Sequence, residues 1–218
     1  MYIPRHFAVA DPAYAEAFVD AAQSADLVTL DGVRPVSTLL PVIWDRPEAS
    51  GAGPGWGRLL GHLAIANDQW RSAAPGAEAL AIVRGPQAYV SPGWYESKTR
   101  HGRVVPTWNY EAVHLSGPIA FHHDAEWLRD LVTRLTRRHE GGREHPWAVT
   151  DAPPEYIDGQ LRAIVGVELT VTRVEAKQKL SQNRSEADQA GVIAGLRAEP
   201  DDGAAAIAAA MSARLGAG

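Results

Sequence analysis

Among the 218 residues, the stretch with most chemical content is Gly61-His62-Leu63-Ala64-Ile65-Ala66-Asn67. A strand ending in Gly-His and turning straight into a helix leaves free backbone N–H groups, an arrangement suited to a phosphate. His62 would add a hydrogen bond or a positive charge to such a site. Upstream, a β-rich run presents the hydroxyls of Ser37 and Thr38 beside Leu39, also natural phosphate partners. An ordinary strand-to-helix turn would use the same residues.

Two aromatic segments form a second candidate. Trp94-Tyr95 and Trp108-Asn109-Tyr110 set flat rings beside amide or hydroxyl groups in proline-containing stretches. A planar heterocycle such as a flavin needs an apolar wall with a few polar groups at its edge, and these residues supply both. Filling a core or a subunit interface is the competing use. A third candidate is Lys177, Lys179, Gln182, Asn183 and Arg184, placed directly after a well-patterned strand. The cluster fits a polar ligand, or, through Asn183 or Ser185, the cap of the next helix.

Other chemistries find little support. There is no cysteine, so thiolate nucleophiles, disulfides and iron–sulfur clusters are excluded. His122 and His123 are neighbours on a strand end and point opposite ways, and no histidine spacing matches a metal site, so no metal is expected. No nucleophile elbow, Walker A loop or dinucleotide fingerprint occurs. The net charge of −5 and pI near 5.9 give no footprint for nucleic acid. Arg129, Arg134, Arg137 and Arg138 share one helix, but Glu126, Asp130 and Glu140 dilute them, which reads as a solvated amphipathic helix. The first residues carry no apolar leader, and no stretch approaches a membrane span of about 18 apolar residues, so a soluble cytoplasmic protein is expected.

The elements that would position these residues read as a single α+β domain. Asp11-Pro12 starts a helix over 12–24. Two β-rich runs around Asp31-Gly32 form a hairpin whose second strand, holding Pro35 and Pro41, must be an edge, bulged or bent. A loop is expected over 45–57, a strand over 57–62 and a helix over 64–72. Strands follow at 79–83 and 88–90, separated by Gly85-Pro86, and at 108–121. Asp124 caps a helix with Trp127, Leu128, Leu131 and Leu135 on its apolar face; Pro153-Pro154 opens another that carries Ile164-Val165. Residues 167–174 alternate strictly as a strand, a helix covers 185–197, and an Ala-rich tail repeats Ile207, Met211 and Leu215 every fourth residue. The gaps between strands are mostly too short for crossover helices, which favours an antiparallel sheet or barrel.

Taken in order, these segments resemble the PaiB-like, FMN-binding negative transcriptional regulators. The resemblance runs from Met1-Tyr2-Ile3-Pro4-Arg5-His6-Phe7 through Gly61-His62-Leu63-Ala64, Gly85-Pro86-Gln87-Ala88-Tyr89-Val90-Ser91-Pro92 and Val105-Pro106-Thr107-Trp108-Asn109-Tyr110. It continues in Trp147-Ala148-Val149, Lys179-Leu180-Ser181-Gln182-Asn183-Arg184-Ser185 and Ala190-Gly191-Val192-Ile193. It implies an FMN-binding split β-barrel with peripheral helices over 1–197, a variable Ala-rich helix or tail over 198–218, and a homodimer with flavin clefts between subunits. It further implies flavin-dependent oxidoreductase activity of low turnover, or regulation through DNA or protein partners without flavin. Carried onto this chain, Ser37, Thr38, Leu39, Gly61, His62 and Asn67 would approach the FMN phosphate and ribityl, and Trp108, Asn109 and Tyr110 the isoalloxazine. Lys179, Gln182 and Arg184 would close the pocket. Two positions depart from the family pattern: Ile65 stands where Arg or Lys is frequent, and Asp68 where Pro is frequent. A lost cationic partner removes a charge-assisted hydrogen bond of roughly 1.5–3 kcal/mol, so Ile65 is expected to weaken FMN binding.

Overall fold

The structure, a computed structural model, describes residues 1–46 and 55–216. Most of the loop expected over 45–57 lies outside the described residues. The strands are β1 (Ala8–Val9), β2 (Ser24–Asp31), β3 (Arg34–Pro41), β4 (Ile43–Asp45), β5 (Arg58–Ala64), β6 (Glu78–Val90), β7 (Thr107–His122), β8 (Ile164–Thr170) and β9 (Arg173–Lys179). The helices are α1 (Pro12–Ala22), α2 (Gln69–Ser72), α3 (Ser97–His101), α4 (Ala125–Glu140), α5 (Pro154–Leu161), α6 (Glu186–Ala198) and α7 (Asp202–Gly216). The strands form one open sheet in the order β3-β2-β6-β7-β8-β5-β4, with β9 paired to β1 and β7. The pairings β1–β9, β2–β3, β2–β6, β4–β5, β5–β8 and β7–β8 are antiparallel, which gives the expected α+β class.

The chain divides into two compact units. One comprises residues 1–14, 84–113 and 175–218; the other comprises 15–83 and 114–174. The first is centred on α6 and α7, where Val192, Leu196, Ile207 and Met211 pack with Val90, Tyr95 and Leu180. The second has α4 laid on its sheet residues, with Leu131 and Leu135 against Ile43 and Leu60.

Local chemistry explains the elements. Asp11 accepts from Ala13 N at 3.0 Å, Asp124 from Trp127 N at 2.8 Å and Ser185 from Asp188 N at 3.2 Å, so α1, α4 and α6 start at side-chain caps. The β2–β3 hairpin turns through Gly32-Val33 with Gly32 at φ 60°, a conformation that glycine adopts without strain. Proline-bearing β3 is an edge strand, and the chain bends after Pro41 so that Ile43 begins a separate strand. In β8 the alternation of buried Val167 and Leu169 with more exposed Glu168 and Thr170 holds.

Four expectations are corrected. The runs 79–83 and 88–90 are one strand: the β2 ladder ends at Ile82, so Pro86 has no N–H to supply to it. Ile164 and Val165 begin β8 instead of ending a helix, because α5 stops at Leu161. Residues 167–174 span the end of β8 and the start of β9, which places Lys177 and Lys179 inside a strand. Gly61 and His62 lie within β5, opposite Val167 and Gly166, and the helix expected over 64–72 shrinks to the single turn α2.

Gly166 sits under Trp127, where an added Cβ would fall 2.1 Å from the ring carbon Cζ3. Gly166→Ala is therefore expected to cost roughly 1–3 kcal/mol by overpacking, read as a lowered thermal midpoint. An unchanged midpoint would mean that Trp127 lifts off β8 freely.

Candidate functional site

In the first unit, Lys179 ends β9 and reaches over the start of β7. Its Nζ donates to Thr107 Oγ1 at 2.5 Å and to the Trp108 carbonyl. Two residues earlier, Lys177 is buried and donates to Tyr110 Oη at 2.5 Å and to the Tyr2 carbonyl at 3.1 Å. After the tight turn at Ser181 (φ 61°), Arg184 lays its guanidinium 4.7 Å from the centre of the Tyr95 ring. Among the described residues, none of these three cations is within ion-pairing distance of a carboxylate. Burial pushes the Lys179 ammonium below the usual lysine range, and repulsion from Lys177 and Arg184 adds to it.

These groups border a cavity of about 150 Å³ that Tyr95, Thr107, Asn109, Lys179, Ser181 and Arg184 help to line. Asn109 is fully buried and its amide donates to Ser181 Oγ at 3.0 Å and to Met211 Sδ at 3.5 Å. The Tyr95 hydroxyl is buried without a hydrogen bond of normal geometry, although Arg184 and Ser181 lie near enough to act on it. Burial raises its pKa, with Arg184 acting in the opposite direction, so it is a neutral phenol with a proton to donate. Gln182 Oε1 accepts from Leu180 N at 2.7 Å, and its amide donates to the Gln178 carbonyl at 2.6 Å, which fixes the turn. Asp188 shapes it further. Burial pushes that carboxyl up, but hydrogen bonds from Ser97 N (2.8 Å) and Oγ (2.9 Å), with the Arg184 charge, hold it below the usual range. Two cations and an unpartnered phenol around a small cavity make a cradle for an anionic oxygen group.

Strand alternation separates Trp108 from Asn109. Trp108 is 46% exposed, donates from Nε1 to Gln87 Oε1 at 3.1 Å, and lines a different cavity.

In the second unit, Thr38 and Asn67 meet at Gln69. Thr38 Oγ1 donates to Gln69 Oε1 at 2.6 Å and accepts from Asn67 Nδ2 at 3.0 Å. The Gln69 amide donates to the Leu27 carbonyl at 3.0 Å and Thr29 Oγ1 at 3.1 Å. Ser37 and Leu39 are exposed on the edge strand and take no part in this network. Gln69 was not legible as a site residue, since a buried glutamine leaves no mark in the sequence. His62 lies on β5 with Nδ1 buried and unpartnered, and burial lowers its pKa. Gly61 is held close to β3, where a Cβ would stand 3.1 Å from the Pro41 carbonyl oxygen. Beyond β5, Ile65 N donates to the Ala163 carbonyl at 2.8 Å, while Asp68 pairs with Arg71 at 2.6 Å. The one cation of that turn is thus held by Asp68.

On α4, Arg129 pairs with Asp158, Arg134 with Asp45 at 3.0 Å and Arg138 with Asp20 at 3.3 Å. Three of the four arginines named on this helix are thus paired with carboxylates, Arg137 being the exception among the described residues. Among the described residues no helix is long and apolar enough to cross a membrane.

Residues 1–173 match the family described as "Putative FMN-binding domain". The chain is 32% identical over 215 residues to the protease synthase and sporulation protein PAI 2 of Bacillus subtilis, covering 99% of this chain and 98% of that protein. Among solved structures it resembles the flavocytochrome Anf3 of Azotobacter vinelandii (TM-score 0.57, 14% identity, 87% of this chain and 78% of that one). It also resembles the FAD and heme binding protein of Mycobacterium smegmatis (TM-score 0.56, 16% identity, 84% and 78%). The fold is therefore the split β-barrel expected from the sequence.

The depressed His62 pKa has a consequence for stability. The unfolded chain takes up this proton near the ordinary value of 6.5 and the folded chain only at lower pH, so stability falls as pH drops through and below 6.5. The thermal midpoint is expected to decline between about pH 7.5 and 5.5, and less steeply in His62→Gln; equal slopes would remove His62 as the cause.

Proposed function

We propose that this chain, which belongs to the FMN-binding domain family, binds FMN and takes the phosphate in the cavity beside Lys179 and Arg184. The observation that carries this reading is the pair of cations without ionic partners facing the unpartnered Tyr95 hydroxyl. A phosphate dianion would accept from all three and relieve the repulsion that lowers the Lys179 pKa. A cavity of about 150 Å³ suits this end of the cofactor and not its three-ring system.

The residues around His62 fit a phosphate less well. The Thr38 proton is already given to Gln69, the Asn67 amide already donates to Thr38, and burial keeps His62 neutral. Ser37, Thr38, Leu39 and Asn67 belong to the second unit and are given no part in this cradle. Asn109, Tyr110 and Gln182 serve as supports: each holds a neighbour that shapes the cradle.

Bound flavin would supply oxidation–reduction chemistry, and the chain's share is to bind, orient and shield it. A weak flavin-dependent oxidoreductase working as a homodimer is the activity that fits. The name of the Bacillus subtilis relative ties that protein to protease synthesis and sporulation. A regulatory role for this chain would run through flavin state or a protein partner, since three of the four α4 arginines are engaged with carboxylates.

The test is a titration with FMN and with riboflavin, which lacks the phosphate, followed by quenching of flavin fluorescence. FMN is expected to bind the more tightly, and Lys179→Ala or Arg184→Ala to weaken FMN by roughly 10- to 100-fold, the size of a charged hydrogen bond. Riboflavin affinity should be unmoved in both variants. Equal affinities for the two flavins, or no binding of either, would overturn the assignment.

A further inference from the structure

The first unit carries a second and larger cavity, of about 430 Å³, whose chemistry is opposite to that of the phosphate cradle. Its walls are aromatic: Tyr89 from β6, Trp94 from the turn that follows, and Trp108 from β7. Its charged groups are the carboxylates of Glu199 and Asp201, in the connection between α6 and α7, and no Lys, Arg or His lines it. Among the described residues neither carboxylate is in an ion pair. Asp201 Oδ1 caps α7 by accepting from Ala204 N at 2.7 Å, which leaves its second oxygen for another partner.

The aromatic walls are held in place. One side of the Trp94 indole is pressed against α6 at Gly195, where a Cβ would lie 2.2 Å from ring carbon Cδ2. At Gly191, one turn earlier, a Cβ would lie 2.1 Å from the Trp94 carbonyl oxygen, so two glycines seat both ring and backbone. The Trp108 indole is fixed by its bond to Gln87, and its ring centre stands 6.3 Å from that of Tyr89 at 60°. Tyr89 and Trp108, though anchored, are 49% and 46% exposed, so their rings remain accessible at the mouth of this cavity.

Aromatic faces present negative potential, and carboxylates outside any ion pair add net negative charge. Together they attract a cation that is large, poorly hydrated and partly apolar, and they reject anions. We propose that this cavity is a binding site for a small organic ammonium ion, with preference for a methylated head group. A compact metal cation would lose strong hydration for few oxygen ligands, whereas a methylated ammonium gives up little hydration and fills the space between the rings. The site is separate from the phosphate cradle and does not depend on flavin binding.

Calorimetric titration of the full chain at low salt with choline chloride, and with its neutral isostere 3,3-dimethyl-1-butanol, tests this. Choline is expected to bind saturably and at least about tenfold more tightly than the alcohol, a difference of about 1.4 kcal/mol. The double variant Glu199→Gln with Asp201→Asn should lose about tenfold in choline affinity while keeping its thermal midpoint, since Asn is as good a helix cap as Asp. Equal binding of choline and the alcohol would reduce the site to an apolar hollow and overturn the proposal. So would a failure of choline to saturate at millimolar concentrations, or unaltered choline binding in a folded double variant.

Discussion

A strand can send successive side chains only to opposite faces, and the functional surfaces of the first unit follow from that constraint acting at the start of β7. Thr107 and Asn109 border the cationic cradle, while Trp108 between them lines the acidic aromatic cavity. One short segment thereby serves two cavities of opposite charge preference. Lys179 spans the alternation by bonding the Thr107 hydroxyl and the Trp108 carbonyl, which holds its ammonium against β7 without using a carboxylate.

Why the cations lack ionic partners becomes clear from where the acids of that unit are spent. Glu111 accepts from Tyr14 Oη at 3.0 Å and Gln178 Nε2 at 2.6 Å; Glu175 is bound to the N-terminal ammonium at 2.9 Å. The buried Tyr14 hydroxyl, raised first by burial and then by the adjacent Glu111 charge, stays protonated and keeps that carboxylate occupied. Asp188 is drawn to Ser97, so its field reaches Arg184 without forming an ion pair. Lys177 and Lys179 are left with carbonyl and hydroxyl acceptors, which solvate a charge but do not cancel it. A site with this imbalance gains from any anion that fits.

Local chemistry made the starts of elements legible in the sequence, and long-range chemistry hid the site. Asp11, Asp124 and Ser185 announce their helices because a cap acts within three residues. Gly85-Pro86 misleads for the converse reason: a proline breaks a strand only if a neighbour needs its N–H, and on the β2 side the ladder has already stopped at Ile82. The same limit applies to His62, whose Gly-His context resembles a phosphate turn until β8 extends β5 to Ala64. Lys179, Gln182 and Arg184 stood out because core packing does not call for them. Their meeting with Tyr95, some 90 positions earlier, leaves no trace in local pattern.

Of the seven tryptophans, set against three phenylalanines, five acquire a physical account once the ring is paired with what receives it. Trp44 is buried and donates to the Trp56 carbonyl at 2.6 Å; Trp70 donates to the Ile65 carbonyl at 3.0 Å. Trp127 stacks on His122 with ring centres 4.2 Å apart and occupies the space that Gly166 leaves on β8. Trp94 uses Gly195 in the same manner. A ring seated on a glycine is fixed on one side by backbone, so its opposite side can face a neighbour or a cavity without being free to move. For Trp127 that neighbour is His122; for Trp94 it is the hollow shared with Trp108, whose Nε1 is fixed by Gln87. Phenylalanine would fill comparable space but could not make the Nε1 bonds of Trp44, Trp70 and Trp108, which accounts for the indoles at those three positions.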